Sequence, residues 1–282
     1  MARLTHYLMA SEWRAAMIAS LLLFLPLLSW AGPSVIALYV LRRGAENSRL
    51  VIIIPLLVAL VMAWEFGDSA MLLVLIITGM LATVLSRTSS WVAVLTMGLF
   101  ISLGLVFLVS ALYEETLSDL VIAIKQAVTT PEQLSALGID GQTIDAWMAS
   151  ISVGAMSLVH MISALFALIF ARAMQANAFN PGGFKAEFAV VILPPAFASG
   201  CLILAATGFL IDPWMLRFTP VGLLPLMLSG IALVHGLTGM RKSKGLLIMF
   251  YAALVFFTPY LLLLLVLLAV IDAFVDFRTR AR

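Results

Sequence analysis

Three histidines, fourteen acids and a single cysteine are the groups through which this 282-residue chain could do chemistry, and few of them are spaced for it. Glu114-Glu115 followed by Asp119 approaches the Glu-Glu-x-x-x-Arg pattern of intramembrane proteases, but the arginine is missing. His160 and His235 lack the spaced partners of a metal site. There is no His-Glu-x-x-His, no Gly-x-Ser-x-Gly and no phosphate-cradling Gly-x-x-x-x-Gly-Lys. Cys201 stands alone in an apolar run, which excludes an internal disulfide and a cysteine metal cluster. The expectation is a protein that is not an enzyme, with no metal and no cofactor.

Two places remain where polar groups could contact a ligand. His160 falls in the middle of a long apolar stretch, where a neutral imidazole either hydrogen-bonds a neighbouring helix or meets a ligand or proton. Glu65 and Asp68 flank Phe66-Gly67 in a tight turn between two apolar runs. A solvated turn accounts for that pair, and the acidic mouth of a cavity is the functional reading. His235 lies near the end of its run, beside Arg241 and Lys242, and reads as interfacial packing.

The elements that must carry these groups are membrane helices. Apolar residues make up 63 % of the chain and charged residues 11 %. Soluble domains run at about 45–50 % and about 25 %, so a soluble fold could not cover itself with polar surface. A helix needs about 20 apolar residues to cross a hydrocarbon core of about 30 Å. Residues 50–64, 69–85, 91–113, 146–171, 191–211 and 219–240 meet that need as six clear spans, the first shortened around Pro55. Residues 15–41 and 246–274 are long for one span and short for two. Each is punctuated near its middle, by Pro26 and Gly32-Pro33 in the first and by Pro259 in the second. Ser29-Trp30-Ala31 resembles a signal-peptidase site, but apolar sequence resumes directly after it, so an uncleaved first segment is expected.

Charge chooses the topology. Lys and Arg concentrate in cytoplasmic loops. Placing Arg3, Arg14, Arg42, Arg43, Arg49, Arg87, Arg172, Lys185, Arg241, Lys242, Lys244 and the C-terminal arginines inside leaves two of sixteen basic residues outside, Lys125 and Arg217. Nine of fourteen acids then lie outside. This requires each broken stretch to enter and return on the same side. The expected fold is all-α: a polytopic transmembrane bundle of six clear spans plus two proline-broken hydrophobic hairpins, about 8–10 membrane helices in one domain, with both termini cytoplasmic. Residues 114–145 form an extracytoplasmic segment. Its Leu117, Leu120, Val121, Ile124 and Val128 give an amphipathic helix, and Thr130-Pro131-Glu132 starts a second one ending at Gly138.

Small residues permit close helix contact: Ala15-x-x-x-Ala19 on the first helix, and Gly230, Gly236 and Gly239 on a later one. Internal packing explains them, and a docking face for another membrane protein is the alternative for Ala15 and Ala19. At the inner end of the last segment, Asp272 and Asp276 stand four residues apart beside Arg278 and Arg280. They read as ion pairs to basic loops such as Arg42/Arg43 or Arg241/Lys242, with Glu187 able to join the same cluster, and a partner-docking surface made from these elements is the functional alternative.

The cytoplasmic loop at residues 172–190 and the C-terminal half carry a resemblance. Asn180-Pro181-Gly182-Gly183-Phe184, then Glu187-Phe188 and Leu193-Pro194, resemble the signature loop of the YybS-like family of bacterial membrane proteins. Gly230-Ile-Ala-Leu-Val-His235 is similar to that family's glycine-centred helix, and Asp272-Ala-Phe-Val-Asp276-Phe-Arg278 to its terminal motif. The likeness is in the chain from about residue 171 onward. It implies a domain of unknown function, distantly similar to the substrate-binding components of energy-coupling-factor transporters, in a bacterial inner membrane. Two functions follow as expectations. One is a small-solute-binding or transport-related bundle with a cavity lined by His160 or the outer acidic turn. The other is a non-catalytic scaffold or assembly factor. The expected partners are the lipid bilayer and a membrane protein, not nucleic acid, and the small-molecule ligand is left unnamed.

Overall fold

A computed structural model describes residues 1–113, 116–117, 119–123, 141–240 and 244–280. Among them every regular element is helical and no strand forms. The helices are α1 (Ala2–Met9), α2 (Glu12–Leu23), α3 (Ala31–Arg43), α4 (Arg49–Phe66), α5 (Ala70–Thr88), α6 (Trp91–Leu112), α7 (Gly141–Phe179), α8 (Gly183–Phe188), α9 (Pro195–Leu210), α10 (Thr219–Met240), α11 (Lys244–Phe256), α12 (Thr258–Val275) and α13 (Phe277–Arg280). Short 3-10 turns occupy Ala45–Asn47 and Pro213–Phe218. The chain forms two compact units, Met1–Gly98 with Val159–Phe188 and Leu99–Leu158 with Ala189–Arg282, whose boundaries fall inside α6, inside α7 and just after α8.

Six of the described helical segments are long and apolar enough to cross a membrane, so the protein is a polytopic membrane protein. Five of them fall on five of the spans expected from hydropathy, among them Arg49–Phe66, which runs unbroken through a buried Pro55. The sixth is Thr258–Val275, the second limb of the last broken stretch. The expected span at 191–211 is a helix of 16 residues only, because residues 191–194 take no regular structure and Pro194-Pro195 delays the start. The span at 146–171 is the middle of a 39-residue helix. Residues 124–140, which hold Ile124, Val128 and the second helix expected outside, lie beyond the described residues. Leu117 and Val121 are buried, whereas Leu120, expected on the same apolar face, is exposed.

In the first unit, α2 and α3 form the expected hairpin. The chain turns at residues 24–30, and Pro33 falls in the first turn of α3, where its missing N–H costs no bond. Ala15 and Ala19 are wholly buried, and a Cβ on Gly32 would stand 2.8 Å from the Ala19 carbonyl. Close backbone approach is therefore the use of these small residues, and the face is taken up within the unit. Both limbs return to one end: the Tyr39 hydroxyl donates to Leu8 O at 2.8 Å, and Arg43 donates to Met9 O at 3.1 Å. Limbs of 12 and 13 residues rise only about 18–20 Å, less than a hydrocarbon core. Beyond them α3 packs on α5 and α2 on α4. Glu12 accepts from Leu50 N at 2.9 Å, placing a carboxylate at the N-terminus of α4.

In the second unit, α10 is the central post against which α9, α11 and α12 pack. A Cβ on Gly230 would lie 2.5 Å from Leu265 O, so α10 and α12 touch backbone to backbone there. At the start of α10, Phe107, Trp214 and Phe218 form a ring cluster beside the apolar core of Val106, Val109, Tyr113, Leu117, Val153 and Val221. Arg217 lies over the Trp214 ring at 4.3 Å and donates to Ser110 Oγ at 3.4 Å. The last segment breaks at Phe257, with Pro259 opening α12, and its second limb returns to the far end of α10.

Candidate functional site

The first unit is polarised along its helices. Arg49 opens α4 and Glu65 nearly closes it; Asp68 precedes α5 and Arg87 nearly closes it. On these two helices the arginine and the acid are thus separated by about 25 Å, while Glu12, Glu46 and Glu187 lie at the basic end. At the basic end, Arg42 stacks over Phe179 at 4.4 Å and Gln175 donates to Leu41 O at 3.0 Å. Arg172 forks onto Glu187, with Nε donating to Oε2 at 3.0 Å and Nη2 bonding Oε1. A bidentate guanidinium–carboxylate pair of this kind fixes direction as well as distance. It explains the Pro181-Gly182-Gly183 loop: Gly182 adopts φ +88°, Asn180 crowds Gly183, and the chain reverses so that α8 can bring Glu187 back to α7. Phe184 and Phe188 on α8 face the Trp91 ring at 6.0 Å. Trp91 had no place in the sequence reading, although an aromatic opening a span is the signal that marks such contacts.

Between the helices of this unit lies a cavity of about 400 Å³ lined by Ile36, Ile52, Leu56, Leu75, Ile76, Gly79, Met80, Thr83, Val84 and Met97. Its one side-chain hydroxyl is spoken for, since Thr83 Oγ1 donates to Gly79 O at 2.8 Å. A solute held there meets an almost wholly apolar lining. Ile76, Met80 and Met97 are also exposed, so the cavity opens laterally. At the basic end a cleft of about 340 Å³ is lined by residues 41–47 together with Ser86 and Arg87. A third hollow, about 450 Å³, lies among Phe24, Leu57, Val58, Val61, Met62, Glu65 and Phe66.

The ligand-contact residues expected from the sequence are dispersed. His160 is 2 % exposed and sits in α7 beside the buried Met161 and Ala164. It does not line any of these three hollows. Glu65 lines the third one, while its turn partner Asp68 is exposed and caps α5 by accepting from Ala70 N at 2.8 Å. Gly67 takes φ +69° between them, the left-handed conformation that the tight turn needs. Among the described residues no group of three or more metal-ligating side chains converges.

The terminal motif closes on itself within the second unit. Asp276 adopts φ +47° and its Oδ1 accepts from Arg278 N and Thr279 N at 3.2 and 3.3 Å, which folds α13 back against the end of α12. Arg278 Nη1 then donates to Asp272 Oδ2 at 2.6 Å and Nη2 to Val191 O at 3.0 Å, while Phe277 N donates to Asp272 Oδ1 at 2.9 Å. The expectation that Asp272 and Asp276 reach other basic loops is therefore corrected: Asp272 pairs inside the motif, and Asp276 binds backbone. Arg241 and Lys242 lie outside the described residues. Burial pushes the Arg278 guanidinium below its ordinary value, and Asp272 and Asp276 draw it back up. Gly236 makes room for this clasp, because a Cβ there would stand 2.9 Å from Arg278 Nε. His235 Nε2 and the Tyr251 hydroxyl share a hydrogen bond of 2.7 Å, tying α10 to α11.

Compared with models of protein families, with curated proteins and with solved structures, the chain matches none.

Proposed function

We propose that this protein is a small-solute-binding, transport-related helix bundle of a bacterial inner membrane, without catalytic activity of its own, and that its solute is apolar. The observation that carries this reading is the laterally open cavity of about 400 Å³ in the first unit, whose lining offers no free polar group. Pockets of this size bury most of a drug-sized ligand. A polar solute entering it would lose its hydration without replacement bonds, at several kcal/mol. An apolar one would enter from the bilayer. The likeness of the loop at residues 172–190 and of the terminal motif to the YybS-like family supports the same class. Segregation of arginines to one end of the first unit supports a cytoplasmic placement for that end.

The alternative, a scaffold acting through protein partners, has less in its favour. Ala15 and Ala19 are wholly buried, and Glu187, Phe184 and Phe188 are engaged by Arg172 and Trp91. Native mass spectrometry of the detergent-purified protein separates the two. The solute-binding reading expects a monomer or oligomer carrying a small hydrophobic adduct. A stoichiometric protein partner on an adduct-free chain would overturn it.

A further inference from the structure

The apolar cavity and the basic cleft of the first unit are built on the same two helices. Along α5, Thr83 and Val84 line the cavity and Ser86 and Arg87 line the cleft. From Thr83 to Arg87 is one turn, about 6 Å. Along α3, Ile36 lines the cavity and Leu41, Arg42 and Arg43 the cleft, a rise of about 9 Å from Ile36 to Arg42. An apolar chamber thus ends within a turn or two of a mouth carrying three guanidinium groups. Glu46 is the acid among the residues lining that mouth, and it meets Arg87 at 3.6 Å with both side chains largely exposed. So open a pair is weak and yields readily to a competing anion.

We infer that the first unit holds an anionic phospholipid, its acyl chain in the cavity lined by Ile36, Gly79 and Thr83 and its phosphate, uncompensated by a cationic headgroup, against Arg42, Arg43 and Arg87. The inference rests on the apolar-solute reading and names its class. Charge complementarity selects the headgroup: the cleft lining has three cations to one anion, and guanidinium forks match phosphate oxygens in pairs. The lateral opening at Ile76, Met80 and Met97 lets a chain enter from the bilayer without passing through water. Asn47 Nδ2 and Ser86 Oγ each bond a backbone carbonyl, whereas a guanidinium keeps further N–H groups to offer even where one is used, as Arg43 uses one on Met9 O.

The test is native mass spectrometry of the full chain, titrated with phosphatidylglycerol, phosphatidylcholine or inorganic phosphate. The expected result is at least tenfold preferential retention of phosphatidylglycerol over phosphatidylcholine, without competition from inorganic phosphate. Arg42→Gln with Arg87→Gln brings the two lipids level, and Gly79→Phe, which fills the chamber, lowers retention of both. Arg87→Gln alone reduces the preference and serves as the second variant, because it disturbs only an exposed contact. Equal retention of the two lipids by the unmodified protein, or full preference in the double variant, overturns the headgroup assignment. Displacement by inorganic phosphate overturns it too, in favour of a soluble anion. In each of those cases, a loss of bound lipid in Gly79→Phe still upholds the apolar-solute reading. Retention unaffected by Gly79→Phe overturns both.

Discussion

Arg278 shows how a short motif can be structural in a membrane protein and still look functional in sequence. Its guanidinium is buried, and a buried cation with its partner removed costs about 3–5 kcal/mol, whereas replacing both partners with apolar side chains is often neutral. Asp272→Ala should therefore lower thermal stability in detergent steeply. Asp272→Leu combined with Arg278→Met should recover part of the loss, the remainder lying with Val191 O and Phe277 N, which lose their partners, as a double-mutant cycle on melting temperature will read. Tyr39→Phe is a milder case: the buried hydroxyl donates to Leu8 O, and its loss should cost about 1 kcal/mol, with the partner carbonyl left bare. These pairings were only half visible beforehand. The acids and arginines of the terminal motif stood out, but their partners include a backbone carbonyl, Val191 O, and no side-chain pattern announces a carbonyl.

Among the helices, two glycines with opposite surroundings separate contact from cavity. Gly230 presses on Leu265 O, so Gly230→Ala should overpack α10 against α12 and destabilise by about 1–3 kcal/mol. Gly79 meets nothing within 4 Å of where a Cβ would stand, so Gly79→Ala should be neutral or gain up to about 1 kcal/mol of helix propensity. Thermal unfolding of the two variants side by side checks the contrast. The first hairpin makes a topological prediction. Leu27, at its tip, is 88 % exposed yet lies at the end of limbs too short to cross. In a Cys201→Ala background, Leu27→Cys should resist a membrane-impermeant maleimide from both sides, while Asp68→Cys reacts from outside and Asn47→Cys from inside. Labelling of position 27 from the outer face would mean that the hairpin spans. Both hairpins were legible because proline marks where each apolar stretch breaks. The shortened α9 was less so, since hydropathy does not distinguish the non-helical residues 191–194 from helix.

Taken as one bundle, the molecule was readable in its class and unreadable in its interior. Composition and charge specify an all-α membrane bundle because lipid imposes those terms on any chain that crosses it. The cavity could not be found the same way. The helices that line it are apolar on nearly all sides, so no amphipathic stripe marks which side chains face inward. The polar exceptions in the sequence, His160, Glu65 and Asp68, do not mark it either, and of these only Glu65 borders one of the hollows. The central claim, that the first unit holds an apolar molecule in this chamber, is tested most directly by native mass spectrometry of the unmodified protein beside Gly79→Phe. The account predicts a hydrophobic adduct on the former and its loss, with folding intact, on the latter. An identical adduct pattern on both would contradict it.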